Sequence, residues 1–196
     1  LTIIGFVRHG VTAWNKEGRA QGSSNIPLDE EGVETAKKLA VRLADEEWDA
    51  IFTSPLTRAR QTADLIASES GIEVVEDERL RERSGGLIEG TTEPERQQKW
   101  GPQWRELDLQ FETAENIVAR GLEFVNDQVQ KNPNQRLIVV SHGSFIKRII
   151  VALMEDDSYT IKIDNTSLTI INIEKKSCLL LNDTAHLVGG LNGNPL

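Results

Sequence analysis

Apolar residues fall along this chain in short runs that alternate with amphipathic stretches, and the period of each block separates strands from helices. Leu1 to Val7 is a short apolar run bounded by Arg8-His9-Gly10, which predicts a buried strand. After it, Asp29-Glu30-Glu31-Gly32 opens a helix whose apolar residues, Val33, Ala36, Leu39, Ala40 and Leu43, recur at helical spacing. Asp29 is the expected N-cap, and the acidic first turn suits the helix dipole. Ala50-Ile51-Phe52-Thr53 reads as a second strand running into Ser54-Pro55, an N-cap followed by proline at the first helical position. That helix should stop near Ser70-Gly71, and Ile72 to Val75 gives a third, short strand.

In the second half, Val118, Leu122, Val125 and Val129 mark a helix packed on a sheet. Leu137-Ile138-Val139-Val140 is an unbroken apolar strand of the kind buried on both faces, followed by Ser141-His142-Gly143-Ser144 and another apolar helix. Leu168 to Ile173 and Leu179 to Leu181 flank Glu174-Lys175-Lys176 as a hairpin. The alternation predicts an α/β fold, three-layer α/β/α, with a mainly parallel central sheet. One domain over residues 1–196 is the expected count. The rhythm breaks between Glu93 and Phe111, where Trp100, Trp104, Leu107 and Phe111 stand among polar groups and Gly101-Pro102 interrupts any helix. A lid or specificity insert is placed there, over residues 91–112. Gly189 to Pro195 carries no usable pattern and is read as a frayed tail.

Composition changes the picture in two ways. Apolar residues are 38% of the chain and charged residues 27%, a globular balance, and no apolar run approaches the ~20 residues that span a bilayer. The start of the chain reads as a first strand, not a signal peptide, and a single cysteine can make no internal disulfide. Together these suit the cytoplasm. The net charge of −9 argues against nucleic acid as a partner, since a phosphate backbone wants a basic face. Neither a membrane nor a cofactor is expected, and the oligomeric state stays open.

Three segments share one design, an apolar strand followed by polar residues and then a helix. They are Phe6-Val7-Arg8-His9-Gly10, Phe52-Thr53-Ser54-Pro55-Leu56-Thr57-Arg58 and Val139-Val140-Ser141-His142-Gly143. Ligands of open α/β sheets bind outside the carboxyl ends of the strands. Two of the three histidines and two arginines therefore converge on one edge of the sheet. Arginine supplies an always-charged fork for phosphate oxygens, and helix N-termini add N–H groups and a favourable dipole. This describes a phosphoryl pocket built without a P-loop. Taken singly, Arg8 and Arg58 read equally well as surface ion-pair partners, and His9 and His142 as capping or core histidines. A zinc site on the two histidines lacks a carboxylate or cysteine pattern to complete it, so no metal is expected.

The segment Arg8-His9-Gly10-Val11-Thr12-Ala13-Trp14-Asn15 resembles the signature of the histidine phosphatase superfamily, which includes the cofactor-dependent phosphoglycerate mutases. Four more blocks agree in order and spacing: Gln21-Gly22 with Pro27-Leu28 and Gly32; Ser54 to Ala63; Leu80-Arg81-Glu82 with Glu89-Gly90; and Val140-Ser141-His142-Gly143. The resemblance implies that His9 is a nucleophile that takes the phosphoryl group on one imidazole nitrogen while its other N–H is fixed, near Gly10. It implies that Arg8, Arg58 and His142 bind the phosphoryl oxygens and that Glu82 is the general acid and then the base. Asn15 would add a hydrogen bond to phosphate, Gln21 and Gly22 would line the entrance, and Gly143 belongs with the substrate-binding positions. The substrate implied is a small phosphorylated metabolite.

The chain also departs from the family. Gly86-Leu87-Ile88-Glu89-Gly90 replaces a Gly-Asp/Glu-Trp-Glu-Gly run, Asn25 stands where aspartate is common, and Phe111-Glu112-Thr113-Ala114 replaces a Gly-Glu-Ser segment. Arg83-Ser84-Gly85-Gly86 differs from the Arg-His-Tyr-Gly-type run of the mutases, and their longer insert is missing. A phosphatase is therefore favoured over a mutase. A catalytically silent phosphate-ligand module is the third reading, which the intact set His9, Arg8, Arg58, Glu82 and His142 opposes. His186 reads as structural or as a contact at the substrate's edge.

Overall fold

Hydrogen bonding of six apolar segments into one sheet organises the computed structural model, which describes residues 1–188. The strands are Ile3–Arg8 (β1), Ala50–Thr53 (β2), Val74–Glu76 (β3), Arg136–Ser141 (β4), Leu168–Asn172 (β5) and Ser177–Asp183 (β6), in the order β3-β2-β4-β1-β5-β6. The first four run parallel; β5 is antiparallel to β1, and β6 is the return strand of the predicted hairpin. The helices are Ala13–Glu17 (α1), Glu30–Ala44 (α2), Thr57–Ser70 (α3), Glu93–Trp100 (α4), Ala114–Lys131 (α5), Gly143–Met154 (α6) and Ala185–Val188 (α7).

Alternation along the strands sorts the core into two layers. Phe6, Phe52, Leu137 and Val139 pack with Ile117 and Phe124 of α5 and with Phe145, Ile146 and Ile149 of α6. Val7, Ile51, Ile138 and Val140 point the other way, onto Leu39 and Leu43 of α2 and Ala59, Ala63 and Ile66 of α3. The three-layer α/β/α fold with a mainly parallel sheet is thus present. No described helix is long and apolar enough to cross a membrane.

Three local expectations need correction. Helix α3 begins at Thr57 instead of Pro55, with Leu56 in the N-cap place and no side-chain cap bond of its own, while Ser54 Oγ accepts from Leu56 N–H in the turn before it. The third strand starts two residues later than expected and ends one later, at Val74–Glu76. The buried stripe of α5 is Ile117, Gly121, Phe124, Val125 and Gln128, so Val118, Leu122 and Val129 sit at its margin. Gln128 tolerates burial because its Oε1 accepts from Asn132 Nδ2 at 2.8 Å.

Other local signals hold. Asp29 caps α2 through Gly32 N–H at 2.8 Å, and Gly71 ends α3 at φ 73°. Within residues 91–112, α4 stops at Gly101 as expected, and a turn of 3-10 helix follows at Trp104–Glu106. Trp104 and Leu109 are buried there with Ile88, and Trp100, Phe111 and Ala20 pack against them. This small cluster stands apart from the two main core layers. The tail read as frayed lies outside the described residues.

Candidate active site

Register aligns the ends of three strands. Val7 pairs with Val140, and Val140 with Thr53, so one more step brings Arg8, Ser141 and Ser54 to one level and a second brings His9 level with His142. The ladder continues past the strands, with His9 N–H donating to Ser141 O at 3.0 Å and Ser54 N–H to Val140 O at 3.0 Å. The rings of His9 and His142 end up with centroids 5.2 Å apart, both buried. The predicted convergence of strand-end residues follows directly from the pairing.

His9 Nδ1 lies 2.6 Å from Gly10 O. A carbonyl only accepts, so Nδ1 carries the hydrogen and Nε2 keeps its lone pair. Burial pushes the His9 pKa well below its ordinary value, and the charges of Arg58 and Arg8 push the same way against the pull of the Gly10 bond. The ring is therefore neutral near pH 7, the state a nucleophile requires.

His142 is likewise driven well below its usual pKa, first by burial and then by Arg58, His9, Arg8 and Arg120. Its Nε2 is 2.8 Å from Ser54 Oγ, which also accepts from Leu56 N–H at 3.3 Å. With that N–H already donating to the hydroxyl oxygen, Ser54 can give its own hydrogen to His142 Nε2. In that arrangement the ring hydrogen stands on Nδ1, a buried atom with no partner among the described residues, where it is free for a ligand.

The two arginines are held by carbonyls and not by carboxylates. Arg8 Nη1 donates to Ile163 O at 2.6 Å; Arg58 donates to Gly22 O at 2.8 Å and Ser24 O at 2.7 Å. Burial lowers the pKa of both, with Glu82 pulling the other way; Arg58 comes down to about 10 and stays charged at neutral pH. Arg58 is only 1% exposed, and burying a cation without a counter-anion costs several kcal/mol. Both Nε atoms are buried and unpartnered, like His142 Nδ1. Three orphaned donors on the side chains around His9 match the needs of a group rich in oxygen acceptors.

Glu82 sits at the N-terminus of α6. Its Oε1 accepts from Phe145 N at 2.9 Å and Arg83 N at 2.8 Å, and its Oε2 from Ser144 N at 3.0 Å. Two pockets meet at Glu82 and Ser144. One, of about 250 Å³, is lined by Arg8, Gly143, Lys147 and Ile163; the other, of about 180 Å³, by Gly22, Arg83, Ile88 and Phe111.

The remaining predicted residues fall nearby, with their side chains engaged. Asn15 Oδ1 accepts from Thr12 N at 3.1 Å in the capping box of α1, and Gln21 Oε1 accepts from Thr12 Oγ1 at 2.9 Å. Gly22, at φ +50°, contributes its carbonyl to Arg58, and a Cβ there would fall 2.1 Å from Glu89 Oε1. Gly143 lies flat against Arg8, where a Cβ would approach Nε to 3.2 Å. His186 stands off on α7, bonded to Thr166 Oγ1 at 3.3 Å; burial, with Arg42 adding to it, lowers its pKa to about 4.

Three residues support the site in ways that their place in the sequence does not show. Ser54 fixes His142, although the Ser-Pro dipeptide suggested only a cap. Glu89 binds Ser23 N–H at 2.7 Å, Ser24 Oγ at 2.7 Å and Gly85 N–H at 2.9 Å, and so ties down the loop that supplies both carbonyls to Arg58. Asn165 donates to His9 O at 3.0 Å and Gly10 O at 3.2 Å, and no local pattern marks it. Among the described residues, no group of three His, Cys, Asp or Glu side chains could hold a metal ion.

Comparison with known proteins agrees with this geometry. The chain is 33% identical over 194 residues to phosphoserine phosphatase 1 of Hydrogenobacter thermophilus, covering 92% of each. It is 33% identical over 160 residues, 80% of each chain, to the uncharacterized phosphatase PhoE of Bacillus subtilis, and phosphoglycerate mutases are also among its relatives. The solved structure of Bacillus stearothermophilus YhfR superposes with a TM-score of 0.85 at 30% identity, over 95% of this chain and all of that one. The model of the histidine phosphatase superfamily (branch 1) matches residues 4–184, and the chain belongs to that superfamily.

Proposed function

We propose that this protein is a phosphatase of small phosphorylated substrates that carries the phosphoryl group on His9. The observation that carries the reading is the neutral, buried imidazole whose Nδ1–H is committed to Gly10 O, beside the buried guanidinium of Arg58 and the half-buried one of Arg8, neither with a carboxylate partner among the described residues. His9 Nε2 attacks phosphorus, the bond to the leaving oxygen breaks, and Glu82 supplies the proton that this oxygen takes up. Glu82, now a carboxylate, accepts a proton from water; the water oxygen bonds to phosphorus and the N–P bond breaks, returning neutral His9 and inorganic phosphate. Arg8, Arg58 and the Nδ1–H of His142 offset charge on the transferring oxygens, the main way proteins speed phosphoryl transfer.

Asn15, Gln21, Gly22 and Gly143 form the walls of the substrate site, and residues 91–112 act as the specificity insert. A phosphatase is favoured over a mutase by Arg83-Ser84-Gly85-Gly86 after the acid and by the short insert. The same reading places the protein in the cytoplasm, without a nucleic-acid partner.

The test is to quench the reaction with a labelled monoester in alkali and look for an acid-labile phosphohistidine. It should form on the unaltered protein and be missing from His9→Ala, which should also release no phosphate. Full turnover by His9→Ala would overturn the assignment. Faster interconversion of phosphoglycerates than phosphate release would move the chain to the mutases.

A further inference from the structure

Glu82 is held on its carboxylate side by three backbone N–H groups, but its backbone belongs to an irregular stretch between a turn of 3-10 helix at Glu78–Leu80 and another at Gly86–Ile88. Such a stretch has no ladder of its own to fix it. Arg120, on the middle of α5, reaches into that gap. Its Nη1 donates to Arg79 O at 2.6 Å and its Nη2 to Glu82 O at 3.2 Å, so one planar group ties both ends of the segment leading to the acid. The same guanidinium lies over the ring of Phe145 at 5.2 Å, the residue whose N–H holds Glu82 Oε1.

The fork is itself aimed by Glu112, the last residue of the 91–112 segment. Arg120 Nε donates to Glu112 Oε1 at 2.8 Å and Nη2 to Oε2 at 3.0 Å, a two-pronged pair with each side chain under 20% exposed. Against the upward push of burial, these bonds and the Arg120 charge bring the Glu112 carboxyl below its ordinary pKa. Glu112 also closes on the strand of chain just after the acid. Its N–H donates to Ser84 O at 3.1 Å, its side-chain Oε2 accepts from Ser84 N–H at 3.2 Å, and its carbonyl accepts from Arg83 Nε at 2.7 Å.

We infer that Arg120, aimed by Glu112, is the positioning residue for Glu82, and that through this pair the specificity insert sets the reach of the leaving-group acid. The inference rests on Glu82 being that acid. Lysine cannot replace the fork, because one ammonium group cannot span Arg79 O, Glu82 O and a bidentate carboxylate together.

The experiment follows the first turnover, the phosphorylation burst, for an alkyl and an aryl monoester in Arg120→Lys, Glu112→Gln, Glu82→Gln and the Arg120→Lys/Glu82→Gln double variant. An alkoxide needs a proton as it leaves and a nitrophenolate hardly does. A displacement of about 1 Å in a reacting group can cost about 10²-fold. Arg120→Lys should therefore slow the alkyl ester about 10- to 100-fold and the aryl ester no more than about threefold. In the Glu82→Gln background the same change should add less than about twofold for the alkyl ester, since a residue acting through Glu82 has nothing left to position. Equal slowing of both esters, or the full loss persisting in that background, would show a general structural role and overturn the inference alone. If Glu82→Gln itself fails to separate the two esters, the acid is elsewhere and both the mechanism and the inference fall. Should Arg120→Lys not fold, as read by its urea midpoint, Glu112→Gln keeps the shape of the pair and faces the same comparison.

Discussion

Replacing Ser54 with alanine removes a hydroxyl that touches no predicted substrate group, yet it should cost activity. Ser54 Oγ stands between Leu56 N–H at 3.3 Å and His142 Nε2 at 2.8 Å, and on the proposed mechanism its hydrogen goes to Nε2 and keeps His142 as the Nδ1–H tautomer. In Ser54→Ala, Nε2 is a buried acceptor without a donor. A buried group left unsatisfied costs about 1–3 kcal/mol. The imidazole can escape part of that by moving its hydrogen or turning, and either response withdraws Nδ1–H from the phosphoryl oxygens. A hydrogen bond to a charged group is worth about 1.5–3 kcal/mol, or roughly 10- to 100-fold in rate. Stopped-flow measurement of the nitrophenolate burst gives the phosphorylation rate, and urea unfolding gives the stability. Both should fall, the burst by roughly 10- to 100-fold. A burst within about twofold of the unaltered protein, with stability still lowered, would show that the hydroxyl serves packing only and that the tautomer assignment is wrong.

Three further outcomes follow from the same geometry. Gly22→Ala should lower stability by more than the ~1 kcal/mol typical of a left-handed backbone position, because the new Cβ displaces Glu89, and kcat/KM should fall as Arg58 loses its carbonyls; a variant with unchanged kcat/KM would separate Arg58 from this loop. His9 and His142, lowered by burial and by neighbouring arginines, stay neutral in the fold, whereas an unfolded histidine binds a proton below about 6.5. Their contribution to stability is thus present above about pH 6.5 and lost as the pH falls below it; NMR of the ring carbons in the ligand-free protein should show both rings uncharged at pH 6, and half-protonation near 6.5 would contradict the burial argument. Since Arg8 and Arg58 provide the positive charge at the site, dialysis against EDTA should leave phosphate release intact; loss of activity that a divalent ion restores would refute this.

The residues at the ends of β1, β2 and β4 could be read from the sequence because strand period and parallel pairing leave little freedom. Once Val7, Val140 and Thr53 share a level, so must the residues that follow. Legibility fails where a residue's partner is fixed by a fold and not by a period. Ser54 has the look of a helix cap, but the helix starts later, and besides Leu56 N–H its hydroxyl meets His142, 88 positions away. Glu89, Asn165 and Arg120 bind backbone atoms of distant loops, and backbone atoms are the same in every residue, so the motif that contains Glu89 does not show what it holds and no pattern marks the other two. On α5 the apolar pattern finds Val125 but marks Val118, Leu122 and Val129 one residue past the buried positions, for a related reason. Gly121 and Gln128 occupy the buried face for close packing against α6 and for a hydrogen bond to Asn132, and neither reason shows in an apolar pattern.

This contrast between sheet and loops also divides the chemistry. The groups proposed to face the phosphoryl oxygens stand on or beside strand ends, and the chain's charge of −9 has little hold there. Arg58 is enclosed and bonded only to carbonyls, and distant carboxylates are screened over a Debye length of about 8 Å. The groups that would meet the rest of the substrate come from two unrelated walls on either side of Glu82. Arg8, Lys147 and Ile163 line one; Arg83, Ile88 and Phe111 line the other. A phosphoryl group is the same in every monoester, so a rigid sheet edge serves all of them. The leaving group differs from one ester to the next, and it is met by segments whose sequences are free to vary without disturbing the strands. On the proposed mechanism the reaction is therefore written in the motifs of this chain while the choice of substrate falls to these two walls, one of which includes Phe111 of the 91–112 segment, and a link from that segment to Glu82 through Arg120 would let the choice of substrate tune the step that expels it.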